Sequence, residues 1–321
     1  MMVRERTSFV ALVLALVCFL TAAAPTATPQ KPLSSTLFDA PQLLADLKVL
    51  SADDMEGRQA GTPGNEKARA FVIRRFKQAG VLPFKGTYEY PFPLMGRARS
   101  PERRGTNVVG FIEGTRSSGR YIVLSAHYDH IGTRNGQVFN GADDNASGTA
   151  ALFTLAKYFS EHRPLHSLIF ASFDAEEIGL QGSREFVQNP PVAASRLAVN
   201  LNFDMIGRES ENRLFVVGAA AQPVLKPFIQ TATEGAPTRL IMGHEDPRQP
   251  EDWTRDSDHY SFMEAGIPAL YFGVEDFEQH HKATDDYETI TFDFYVRAVE
   301  TLVRVVKEFD ANLDSLKAPA R

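Results

Sequence analysis

The chain has 321 residues, 43% of them hydrophobic and 23% charged, with a formal net charge of −6. This composition excludes a disordered or low-complexity chain. A mildly acidic sequence without a basic block leaves no footprint for nucleic acid, and one cysteine, Cys18, excludes a disulfide framework.

Arg4 and Arg6 precede the apolar run Phe9 to Leu20, and small residues follow at Ala22 to Ala24. A basic start, a short apolar core and an A-x-A site predict a signal peptide over 1–24 and export to the periplasm or beyond. The run is shorter than the roughly 20 apolar residues of a membrane span, so no span is expected after cleavage. Residues 25–35, rich in Pro, Thr and Ala, predict a flexible segment. Apolar residues at helical spacing then predict a helix over 43–50 and another over 64–80, with Gly80 as its C-cap. The runs TYEYPF, TNVVGFIEG and RYIVLSAHYD read as strands, and a helix is expected from Asp144 to Phe159. Next come a strand in SLIFASFDAEE, a helix in GSREFVQ, and strands in RLAVNLNFDMIG and RLFVVG. Helices are expected in QPVLKPFIQTATE and SDHYSFMEAG, a strand in IPALYFG, and a closing helix from Phe292 to Leu313. Strands alternating with helices predict an α/β fold.

The polar clusters fall just after strands, and in open α/β sheets the site lies beyond the strands' carboxyl ends. In SAHYDH, His127 and Asp129 share a face of an extended segment, as a zinc ligand and the carboxylate that fixes its tautomer would. His130 should alternate to the other face. In GADDNASG, Asp143 could cap the following helix while Asp144 reaches inward, or the reverse. Glu176 and Glu177 are neighbouring carboxylates; a metal holding one would leave the other as a general base. Asp204 ends an apolar strand, where an unpaired charge is costly. His280 and His281 lie in a late polar loop. His, Asp and Glu are thus the available donors, and they suit a pair of zinc ions about 3.5–4 Å apart. Cobalt or manganese is an acceptable substitute in such a carboxylate-rich site.

In order along the chain, HYD, GADDNASG, FDAEEIGLQGS, NFDMIG, SDHYSFMEAGIPALYF and HHKATDD resemble the M28 family of zinc peptidases, and EGRQAGTPGNEKA resembles its secreted bacterial members. The resemblance implies a three-layer α/β/α sandwich around a mixed, mostly parallel sheet. Residues 86–105 are too few for the domain inserted there in some relatives, so one catalytic domain is expected over 36–321. The resemblance implies two zinc ions per chain. His127 and Asp204 would bind one, Glu177 and His281 the other, and Asp144 would bridge them. Glu176 would be the general base toward a metal-bridging water, and Asp129 would orient His127. Relatives hold the peptide after the bridging Asp in cis, which implies a cis Asp144–Asn145 bond. Where some relatives have an oxyanion-stabilising tyrosine this sequence has His280, so His280, Tyr260 and Tyr271 are the candidates for that role.

The expected activity is that of a secreted aminopeptidase acting on peptides. A carboxypeptidase or dipeptidase is the alternative, with Arg208, Arg239, Arg248 or Arg255 receiving a C-terminal carboxylate; a glutaminyl-cyclase-like transferase is more remote. The loop Gly243 to Asp256 is expected to wall the substrate pocket, with Trp253 lining it or packing the loop. The sequence carries no signal for an oligomeric state.

Overall fold

The first two helices start at side-chain caps. The computed structural model describes residues 33–95 and 103–316, so the expected export segment 1–24 and most of 25–35 lie outside the described residues. Helix α1 (Ala40–Leu50) begins where the Asp39 side chain accepts the Gln42 N–H at 3.1 Å. A short 3₁₀ segment, Asp53–Arg58, leads to α2 (Pro63–Gln78), capped by Thr62 and opened by a proline with no N–H to lose. Gly80 follows with φ +82°, and the Val81 N–H closes on the Phe76 carbonyl at 3.0 Å.

Strands β1 (Leu82–Pro83), β2 (Glu89–Pro93), β3 (Arg104–Ile112) and β4 (Tyr121–His127) come next, then a small hairpin of β5 (Thr133–Arg134) and β6 (Gln137–Val138). Helix α3 (Gly148–Glu161), β7 (Ser167–Phe173), α4 (Gln181–Gln188) and β8 (Leu197–Phe203) complete the centre. The remainder is β9 (Arg213–Val217), α5 (Lys226–Thr233), β10 (Arg239–Met242), α6 (His259–Glu264), β11 (Ala269–Gly273) and α7 (Phe292–Asn312).

Nine strands form one sheet in the order β1-β3-β7-β4-β8-β11-β9-β10, with β2 also paired to β3. The four central strands β7, β4, β8 and β11 are parallel; β3 and β9 join them antiparallel on either side. The expected parallel character therefore belongs to the middle of the sheet. Successive side chains of β4 divide by period two: Ile122, Leu124 and Ala126 face the cluster built by α1, α2, α3, α5 and α7, whereas Tyr121 and Val123 face that of α4 and α6. Phe76, Phe153 and Phe170 meet edge to face in the larger layer. Each fully buried phenylalanine contributes about 1.5–3 kcal/mol. The three layers match the fold the resemblance implied. No described helix is long and apolar enough to cross a membrane.

The helix expected from Asp144 starts later, at Gly148. Residues 142–147 form a wide turn in which Asp144 and Asn145 leave helical geometry and share a cis peptide bond. Asn145 Oδ1 accepts the Gly148 N–H at 2.9 Å and its amide donates to the Phe203 carbonyl at 3.0 Å. A Cβ at Gly148 would stand 2.2 Å from that carbonyl, so only glycine lets α3 start against the end of β8.

Candidate metal centre

Because the four central strands run parallel, their carboxyl ends share one edge. His127 closes β4, Glu176 and Glu177 follow β7, Asp204 follows β8, and His280 and His281 lie on the loop after β11. Asp144 enters from the turn before α3. All five residues expected as metal ligands, and Glu176, line one cleft of ≈ 320 Å³.

Asp144 faces both sides of that cleft. Its Oδ1 is 3.3 Å from His127 Nε2, and Asp204 Oδ1 is 3.2 Å from the same nitrogen. Its Oδ2 is 3.3 Å from His281 Nε2, which lies 2.9 Å from Glu177 Oε2. Ligands at about 2.0–2.1 Å from a tetrahedral zinc stand about 3.3 Å from one another, so both sets have the spacing of a zinc shell. A second observation agrees. His130 Nδ1 and Glu177 Oε1 are buried 2.6 Å apart, yet neither completes a hydrogen bond among the described residues. The residues present therefore fit zinc, and three groups of donors share Asp144, with His127 and Asp204, with His130 and Glu177, and with His280 and His281, consistent with a dinuclear site.

Around the donors, backbone and side chains fix orientation. His127 Nδ1 faces the Asp129 carbonyl at 3.2 Å and the Asp129 carboxylate at 3.7 Å, which leaves Nε2 toward Asp144 and Asp204. Asp129 Oδ1 also accepts the Glu176 N–H at 3.1 Å, and the Ser257 hydroxyl donates to Asp204 Oδ2 at 2.6 Å.

The charges are mutually dependent. Burial opposes a charged His127, but the Asp204 and Glu176 carboxylates outweigh it and hold the imidazole well above the usual range. Hydrogen bonds to Asp144 and Glu177 carry His281 up to about 10. Burial raises Glu177, yet His130 and His281 bring it down to about 2. Burial, with Asp258, Asp204 and Glu177 nearby, pushes Glu176 well up despite His127. The two adjacent glutamates thus differ: one is held as the anion and the other favours a proton.

Several expectations are corrected or sharpened. His130 does not turn away; β4 ends at His127, so strand alternation stops, and the buried His130 ring joins Asp144 and Glu177. Asp143 does not cap α3. It is buried, accepts the Gly207 N–H at 2.6 Å, and is pushed well above the carboxylate range by burial and Asp285. Trp253 does both things considered for it, lining the cleft and packing on Phe215 and Tyr271. Tyr271 and His280 line the cleft, whereas Tyr260 is not among its lining residues and carries Arg255 over its ring. None of the four arginines considered lines the cleft. Arg208 is taken by Asp276 and Asp285, Arg248 by Asp246, and Arg239 by the Glu211 carbonyl.

Two supporting residues escaped the sequence reading. Arg58, fully buried, donates to the carbonyls of Leu50, Tyr128, Asn140 and Gly141 behind the site. Asp285 accepts the N–H groups of Asp143 and Asp144 at 2.9 and 3.0 Å, tying the loop of His281 to the shared aspartate.

A three-layer sandwich whose parallel strand ends gather histidines and carboxylates around one shared aspartate defines a zinc-exopeptidase-type metal centre. Residues 107–306 match Peptidase family M28, and the chain belongs to that family. It is 27% identical over 220 residues to a probable zinc metalloprotease of Pyrenophora tritici-repentis, covering 55% of this chain and 48% of that protein. The chain spans about half the length of such curated relatives. Among solved structures, the zinc aminopeptidase BSAP of Bacillus subtilis superposes with TM-score 0.66 at 17% identity, over 90% of this chain and 98% of that one. The glutaminyl cyclase of Porphyromonas gingivalis superposes with TM-score 0.68 at 18% identity, over 85% and 99%. Two different chemistries on one fold leave the activity to be argued from the site.

Proposed function

We propose that the chain is an exported zinc aminopeptidase with one catalytic domain over 36–321, carried out by the signal over 1–24. One observation carries the choice of aminopeptidase. Besides its aromatic wall, the cleft is lined by carboxylates and histidines, and among the described residues by no arginine or lysine. Such a lining attracts a substrate's free α-ammonium and offers no cationic side chain to a C-terminal carboxylate.

His127, Asp204 and Asp144 would hold one zinc; Glu177, His281 and Asp144 the other. Bound zinc supplies Lewis-acid polarisation of the scissile carbonyl and a lowered pKa for water. Glu176 takes a proton from the attacking water and passes it to the leaving amine nitrogen. Its place in the cleft, with its N–H anchored on Asp129, supports that role. Asp129 keeps the His127 ring turned toward the carboxylates.

The test pairs free and N-acetylated copies of one peptide with the zinc-loaded protein. The free peptide should lose residues from its N-terminus, the acetylated copy should stay intact, and Glu176→Gln should abolish turnover while keeping zinc. Release of the C-terminal residue from the acetylated peptide would establish the carboxypeptidase alternative instead. Cyclisation of an N-terminal glutamine without hydrolysis would establish the transferase.

A further inference from the structure

One wall of the cleft is apolar and rigid. Trp253 stacks on His244 with ring centroids 3.8 Å apart and 9° between planes, and meets Tyr271 and Phe277 edge-on at 6.0 and 6.4 Å. The loop that presents it is pinned at three points. The Trp253 N–H donates to the His244 carbonyl at 2.9 Å, His244 Nδ1 faces the Glu251 carbonyl at 3.1 Å, and its Nε2 lies 3.2 Å from Glu275. Phe277 is 57% exposed, an unusual place for a large apolar ring unless something lies against it.

Asp256 stands beside that wall. It lines the cleft and is exposed, and its N–H closes on the Trp253 carbonyl at 3.3 Å, which fixes it relative to the indole. The other acids of the cleft have assigned partners: Asp204 and Glu177 face histidines, and Asp276 is paired with Arg208. Asp256 differs. Among the described residues its carboxylate makes no salt bridge and accepts no hydrogen bond, and its sequence neighbour Arg255 turns away onto the Tyr260 ring.

Aromatic faces leading to one unpaired carboxylate are the complement of a long side chain with an apolar stem and a cationic head. We propose that this wall is the subsite for the substrate's first side chain, and that Asp256 selects N-terminal arginine and lysine. The inference rests on the aminopeptidase reading. The stem lies along Trp253 and Phe277, and the guanidinium or ammonium pairs with Asp256 at the rim. An apolar residue of the same length fills the same wall but leaves the carboxylate without a partner.

The test compares arginyl, lysyl, norleucyl and glutamyl anilides on the zinc-loaded enzyme. Wild type should favour arginine and lysine over norleucine by about tenfold in kcat/KM, the scale of a charge-assisted hydrogen bond, and the ratio should shrink at high salt. Asp256→Asn should erase the preference, and Asp256→Lys should make the glutamyl anilide better than the arginyl one. If Asp256→Asn leaves the arginine-to-norleucine ratio unchanged, or lowers every substrate alike, the subsite assignment is overturned while the aminopeptidase reading stands. If no anilide is hydrolysed by wild type, the aminopeptidase reading itself fails and the inference with it.

Discussion

His130 Nδ1 lies 2.6 Å from Glu177 Oε1, buried, with no completed hydrogen bond on either atom among the described residues. The same nitrogen is 3.7 Å from Asp144 Oδ2, so His130 faces both carboxylates on the His281 side of the centre. Removing it leaves Glu177, the nearer of the two, less well oriented. Losing a residue that supports metal ligands typically costs 10–100-fold in metal affinity. His130→Ala should therefore weaken binding of one zinc by about 10–100-fold and leave the other nearly unchanged, read by competition with a chromogenic chelator. Equal affinities for the variant and wild type would remove His130 from the centre.

Behind the donors, Arg58 is a fully buried cation that pairs with no carboxylate among the described residues. Four carbonyls at 2.5–2.9 Å satisfy it instead, those of Tyr128 and Gly141 among them. Burial lowers its pKa only to about 10, so it stays charged at neutral pH. Arg58→Met fills part of the volume but strands the carbonyls. Each unsatisfied buried group costs about 1–3 kcal/mol, so the total loss should exceed about 3 kcal/mol. The melting temperature should fall by about 5 °C or more, read by circular dichroism. Arg58→Lys should rescue little, because an ammonium lacks the planar fork that reaches four acceptors. An unchanged melting temperature in Arg58→Met would show that those bonds contribute nothing net.

These two residues also mark where the sequence ceases to be legible. The central strands could be read because both their faces are covered, which makes successive positions such as the YIVL of β4 apolar without alternation. The donors could be read because each follows such a run. His130 was misplaced because alternation was carried three residues past the end of β4. Arg58 left no mark because its partners are carbonyls, which every residue has. Asp285 was hidden in an acidic pair, Asp285-Asp286, whose ordinary meaning is a solvated turn. Strand β10, only four residues long, and the β5–β6 hairpin, two residues a side, are too short to stand out.

Zinc binding should release protons. In the metal-free chain His281 is held up to about 10 by Asp144 and Glu177, and His127 well above its usual range, so both are protonated at pH 7. A metal takes the neutral ring, so binding displaces those protons and affinity rises with pH toward the metal-free pKa values. Calorimetric titration of zinc at pH 7 in two buffers of different ionisation heat should report net proton release, with Glu176 adding to the two histidines because it must be ionised to act as the base. Binding that proves independent of buffer would contradict the charge state assigned to both histidines.

The oxyanion-stabilising role can be assigned by substituting two residues of the cleft. Tyr271 lines the cleft, and burial, with Asp204 and Asp144 nearby, keeps its phenol well above its usual pKa, so the hydroxyl remains a donor. It makes no hydrogen bond among the described residues. Its tip is parked over Gly273, where an added Cβ would stand 2.3 Å from the hydroxyl oxygen. A glycine two residues along the strand is therefore what lets the phenol lie at the strand end near Asp204. If Tyr271 donates to charge that develops only in the transition state, Tyr271→Phe should lower kcat by about 10²-fold with little change in KM. His280→Ala is the control, because His280 also lines the cleft, 3.6 Å from Asp144. A full kcat in Tyr271→Phe together with a collapse in His280→Ala would transfer the role to the histidine.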